Sequence, residues 1–249
     1  MIITVILAVS TVFLFTGTRS SLVLPDVRLV IMHGKEYMEN KLQRLEAQGV
    51  GFNHPYAGQS CSLSSATVAH PQLLGHAGYK FHHAVVYLGL GERVFKKATS
   101  TLRSLGMVNG LSWANMVVQG KGCGNTKGGD LDLKVGDMIA SEVKCCGFLW
   151  SFNPSRIVCS QHNRPGTAEL AGVRVSQLAY STVQGTLIAG EERFRVLYNN
   201  QGDQKVFFEA ISFTRGAGLL GSIAMPLIRP LQKQFFRDIC NTIQATTYL

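Results

Sequence analysis

The chain has 249 residues, 46% of them hydrophobic and only 16% charged. That length suits one domain, or one domain with an appendage. The composition excludes a disordered protein, and six cysteines are too few for a disulfide-framed miniprotein. The net charge of +9, from 24 Lys+Arg against 15 Asp+Glu, raises the question of an anionic partner. The basic residues are dispersed, however. The longest basic run is Lys96-Lys97, and nucleic-acid recognition needs a focused patch. No nucleic acid is expected as a partner, and a basic face toward a membrane surface is the more economical reading.

In chain order, residues 2–17 carry no charge. As a helix they would span about 24 Å, a little short of a hydrocarbon core of about 30 Å. Arg19 and Arg28 follow the run, so the positive-inside rule places the remaining chain in the cytosol. A single-pass anchor over 1–18, in a thin membrane such as the endoplasmic reticulum, is the expectation. A cleaved signal peptide and secretion are the alternative. The chain has no Asn-x-Ser/Thr sequon, and Cys145-Cys146 are ill placed to pair with each other. The cysteines are therefore read as reduced thiols, with no metal-like spacing.

Residues 19–50 read as a linker. Within it, 35–48 has helical spacing through Met38, Leu42 and Leu45, stopped by Gly49 and Gly51. This is either a juxtamembrane helix or one packed on the domain. The domain itself is expected over 51–249. Residues 52–78 look irregular, Tyr79–Leu88 a strand, and Glu92–Leu105 a helix. Leu111–Val118, Asp137–Cys146 and a short Ile157–His162 read as strands. Arg174–Gln184, Glu191–Tyr198 and Lys205–Thr214 are three successive strands, the last two joined by a hairpin at 199–202. Met225–Thr242 reads as an amphipathic helix through Leu227, Leu231, Phe235 and Ile239, with Pro226 and Pro230 marking Leu231 as a candidate start. This order predicts an α+β helix-grip fold: a curved antiparallel sheet around a long C-terminal helix.

Several motifs tempt. Gly89-Leu-Gly91 lacks the rest of a dinucleotide fingerprint. Gly110-Leu-Ser112-Trp-Ala114 lacks the last glycine of a nucleophile elbow. The glycine loop at 120–129 is not a P-loop. His70, His76, His82 and His83 cluster in sequence, but adjacent strand residues point to opposite faces. They are read as surface and strand histidines. No metal and no cofactor is predicted.

Polar residues within apolar strands are more informative. Alternation puts Glu192 with Phe194, Val196 and Tyr198 on one face, leaving Glu191, Arg193 and Arg195 on a face that looks solvated. Glu209 shares a face with Phe207, Ile211 and Phe213. A carboxylate on an apolar face is costly unless it is paired or functional, and burial raises its pKa toward acid–base use. Glu192 and Tyr180 are the candidate catalytic pair. Thr182, Glu209, Arg215 and Trp113 are the candidate ligand contacts.

The same segment carries a resemblance. Ala179-Tyr180, Thr182, Gly185, Gly190-Glu191-Glu192-Arg193-Phe194, Phe213, Arg215 and Gln232 resemble the family named domain of unknown function nineteen-ninety. Phe52-Asn53, Pro55, Gly58, Gly78-Tyr79, Leu88-Gly89, Gly91, Phe95, Ala98, Leu102 and Val135-Gly136-Asp137 extend the likeness over about 51–244. Thr186, Ser181 and Leu105 depart from that pattern, which has His, Gly and Trp there. The resemblance implies a START-like, polyketide-cyclase-like helix-grip domain and supplies no agreed activity. The resulting expectation is a membrane-anchored binder of a hydrophobic small molecule or lipid. A cyclase or isomerase on a lipid-like or polyketide substrate, and a non-catalytic interaction protein, are the alternatives.

Overall fold

The structure is a computed structural model. It describes residues 26–29, 34–62, 77–123, 131–145, 149–166 and 170–248. In chain order the elements are β1 (Asp26–Leu29), α1 (Lys35–Ala47), a single 3-10 turn (Gln59–Ser62), β2 (Lys80–Leu90), α2 (Gly91–Arg103) and α3 (Gly106–Asn109). They continue with β3 (Ala114–Val118), β4 (Gly122–Cys123), β5 (Met138–Cys145), β6 (Leu149–Pro165), β7 (Val173–Thr182), β8 (Ile188–Asn199), β9 (Lys205–Gly216) and α4 (Gly218–Tyr248).

All nine strands join one sheet, ordered β2-β9-β8-β7-β6-β5-β3-β4, with β1 paired to β6. Every pairing is antiparallel. The sheet curves around the helices, which is the helix-grip (START-like) fold. On the concave face, α2 and α4 pack against it through Phe95, Leu102, Phe236, Ile239 and Ile243, meeting Leu178, Phe194, Val196, Phe208 and Ala210. The α4 helix lies chiefly on β2 and β9, while α2 lies on β8 and its neighbours.

The convex face is covered as well. There α1 buries Met38, Leu42 and Leu45 against Val117, Met138, Ala140 and Phe152. The helix foreseen at 35–48 is thus seated on the sheet.

Two elements outrun the sequence pattern. β6 runs for 17 residues, but Pro154 within it and two bulges break its alternation, so only the short run at 157–162 reads as a strand in the sequence. α4 begins at Gly218, upstream of both prolines, and its buried stripe is Gln232, Phe236, Ile239, Cys240, Ile243 and Thr247. Leu227, expected on that stripe, is 37% exposed.

The single-pass localisation needs correction. Among the described residues no helix is long and apolar enough to cross a membrane. The segment 2–17, on which that expectation rested, lies outside the described residues, as do His70 and His76.

Candidate functional site

Tyr180 and Glu192 are direct partners across β7 and β8, and both face the concave side. The Tyr180 hydroxyl donates to Glu192 Oε2 at 2.6 Å. Burial pushes the Glu192 carboxyl up to about 7, and the phenol's hydrogen bond only partly opposes this. Burial, followed by the carboxylate beside it, lifts Tyr180 well above its usual value. Glu192 is half-buried by accessible surface. No cation partners it among the described residues.

The row continues across the sheet. Glu192 pairs with Ser212 on β9, and Ser212 pairs with His82 on β2. Tyr180, Glu192, Ser212 and His82 therefore form one cross-strand line of polar residues on an apolar face. Ser212 Oγ and His82 Nε2 are both buried and have no hydrogen-bond partner among the described residues. The His82 ring lies 5.9 Å from that of Phe236 on α4. Burial, with Arg229 and Lys233 adding to it, lowers the His82 pKa. Sequence reasoning missed His82 and Ser212. The signal was available in the strand register, which sets them beside Glu192, but register is not read from one strand alone.

The other predicted residues separate. Thr182 stands two residues beyond Tyr180, but its hydroxyl is used up: it donates to Asn53 Oδ1 at 2.7 Å and accepts from the Gly190 N–H at 2.9 Å. Trp113 donates its indole N–H to Asp238 at 3.1 Å and meets Phe235 edge-on, so it ties the β3 approach to α4.

Glu209 lies on the convex face, away from α4. There it bonds Arg193 at 2.9 Å, Arg195, and His83 at 3.1 Å. The face that looked solvated is buried, with Arg193 at 0% and Arg195 at 5% exposure. The loop at 52–62 covers it. Glu191 accepts the N–H groups of Gly58 and Ser60 at 2.6 and 2.7 Å, and Arg193 donates to the Ser60 carbonyl. Arg215 is also convex. It stacks on Tyr79 at 4.9 Å, donates to the Ala77 carbonyl, and lines a separate cleft of about 600 Å³ with Asn53 and the start of α4.

A Ser–His pair sits under the same loop. His54 Nε2 is 2.7 Å from Ser181 Oγ and 2.9 Å from the Gly190 carbonyl. Tyr56 N–H donates to His54 Nδ1. The carbonyl accepts only, so Nε2 carries the proton and cannot take one from Ser181. Burial drives the His54 pKa down to about 4. This is a structural latch and not a nucleophile with its base.

An antiparallel sheet gripping a long helix, with a carboxyl–phenol pair on its concave face, defines a helix-grip domain. The chain belongs to the family described as domain of unknown function (DUF1990), whose model matches residues 64–242. It is 24% identical over 214 residues to a UPF0548 protein of Arabidopsis thaliana, covering 84% of this chain and 94% of that relative. Among solved structures it is similar to a hypothetical protein of Helicobacter pylori, with a TM-score of 0.44, 11% identity, and coverage of 67% of this chain and 86% of that one. It is also similar to a norcoclaurine synthase point mutant from Thalictrum, with a TM-score of 0.40, 10% identity and coverage of 68% and 94%. A third likeness is to a major latex-like protein from Panax ginseng, with a TM-score of 0.40, 12% identity and coverage of 67% and 96%.

Proposed function

We propose that this chain binds a hydrophobic small molecule or lipid between the concave face of its sheet and α4, with Glu192 and Tyr180 orienting it. Residues 51–249 are taken as the binding unit. One observation carries the reading: Glu192 shares the concave face with the apolar side chains of Leu178 and Phe194, and its one hydrogen-bond partner among the described residues is a phenol. A buried carboxyl without a cation is costly to the fold, and a ligand that hydrogen-bonds to it offsets that cost. Pockets of this kind combine mostly apolar walls with a few placed polar groups.

The test is native mass spectrometry of the full chain, with organic extraction of whatever accompanies it. A stoichiometric apolar adduct, weakened in Glu192→Gln, is the expected result. A clean mass that does not change after incubation with a panel of lipids and polyketides would overturn the reading in favour of an interaction protein.

A second reading is proton-transfer catalysis at the same place. It is favoured by a Glu192 carboxyl poised at about 7 and held by a phenol. It requires a turnover rate whose pH dependence near neutrality disappears in Glu192→Gln.

A further inference from the structure

Resting on that binding site, the two polar atoms left over in the row say something about its ligand. A buried hydroxyl or imidazole nitrogen without a partner is costly. Ser212 Oγ and His82 Nε2 are two such atoms, on neighbouring strands and on the same face. The surroundings of the row are polarised. At the β7–β8 end stands the Glu192 carboxyl, with Tyr180 already donating to one of its oxygens. At the β2 end, Arg229 and Lys233 of α4 act electrostatically on His82. Of these two, Arg229 is engaged with the Thr214 carbonyl and hydroxyl at 3.1 and 3.3 Å, beside Gln232. The carboxyl end suits a hydrogen-bond donor. The end near the cations suits an electron-rich acceptor.

We propose that Glu192, Ser212 and His82 form a two-ended subsite for a compact, largely apolar ligand carrying a hydroxyl at one end and a carbonyl at the other. The hydroxyl donates to the Glu192 oxygen that Tyr180 leaves free. The carbonyl accepts from Ser212 Oγ, with His82 Nε2 completing the contact. Strands in a sheet are about 4.8 Å apart, so the row from Glu192 to His82 spans roughly 10 Å. The two polar groups of the ligand therefore sit about 5–10 Å apart, across one or two fused rings or an equivalent chain. A ligand with only one polar group leaves half of the row unsatisfied.

Fluorescence titration of the full chain tests this with three bicyclic probes: umbelliferone, which has both groups; its methyl ether herniarin, which lacks the donor; and beta-naphthol, which lacks the carbonyl. Umbelliferone should bind about tenfold more tightly than either control, the factor expected from one lost hydrogen bond at a buried polar site. Ser212→Ala removes one oxygen from a buried position without adding bulk. It should weaken umbelliferone about tenfold and leave beta-naphthol unchanged. His82→Phe, which keeps a ring against Phe236, should act in the same direction.

Equal affinity for all three probes in the wild type overturns the two-ended subsite, leaves interior binding standing, and is also the pattern a fixed water in the row would give. Umbelliferone binding unaffected by Ser212→Ala equally overturns the assignment of the carbonyl end. Failure of all three probes together with diphenylhexatriene, a purely hydrocarbon reporter, overturns the interior site itself.

Discussion

Glu191 and Glu192 leave β8 on opposite faces, and burial raises both carboxyls above their ordinary range. Their surroundings differ. Glu191 accepts two backbone N–H groups from the loop at 52–62, next to the network of Arg193, Arg195, Glu209 and His83. Glu192 accepts from a single phenol among the described residues. Burial alone does not mark a functional carboxylate. The convex face uses charge to fasten a loop, and each of its two glutamates is met by several donors. The concave face leaves a carboxyl, a hydroxyl and an imidazole nitrogen available.

The sharpest way to break this contrast is Arg193→Met. It leaves buried Glu209 short of a cation and frees the Ser60 carbonyl. Removing one partner of a buried ion pair costs about 3–5 kcal/mol, so thermal denaturation should show a drop of roughly 6–20 °C at about 2–4 °C per kcal/mol. A drop of only a degree or two would mean that the network does not hold the loop.

Glu192→Gln should do the reverse. The wild-type carboxyl titrates near 7 in the folded state and near 4.5 when unfolded. The folded protein therefore binds the proton more tightly, and stability falls as pH rises through that window. The amide cannot ionise. Above pH 7 the variant should be more stable by on the order of 2 kcal/mol, with a flatter profile between 4.5 and 7, while its ligand affinity declines. Denaturant midpoints across that range provide the check.

His54 carries the opposite slope. Its folded pKa of about 4 lies below the ordinary imidazole value of 6.5, so its contribution is present above 6.5 and is lost as pH falls toward 4. His54→Asn should cost about 1–2 kcal/mol at neutral pH and expose the 52–62 loop to proteolysis. Unchanged protease resistance would detach His54 from the latch. The smallest effect belongs to Thr182→Val, at about 1 kcal/mol, with ligand binding unaltered. A clear loss of binding there would return Thr182 to the ligand contacts.

Much of the architecture was legible in the sequence. Alternation located β7, β8 and β9 within a few residues, and the element order pointed to the helix-grip arrangement. The pair Tyr180 and Glu192 was found because a carboxylate among Phe194, Val196 and Tyr198 violates the apolar pattern of its face. What stayed hidden depends on contacts between distant segments. Arg193 and Arg195 look like solvent residues until a loop some 130 positions away covers them. Glu209 shares a face with aromatics, but which face meets α4 follows only from register with β8. α4 also carries two prolines inside 31 residues, where local rules place a break.

The separation between that loop and the strands it fastens has a temporal side. Ser60 and Glu191 are 131 residues apart, and a ribosome adds about 5–20 residues per second. The loop therefore emerges roughly 7–26 s before its anchoring glutamate. For the first part of that interval α1, which needs Met138, Ala140 and Phe152 for its apolar side, must also wait for its docking surface. The convex half of the protein is thus completed late in synthesis. A nascent chain stalled before β8 would present these segments to chaperones and proteases, and truncations ahead of residue 191 should accumulate far less than the full chain.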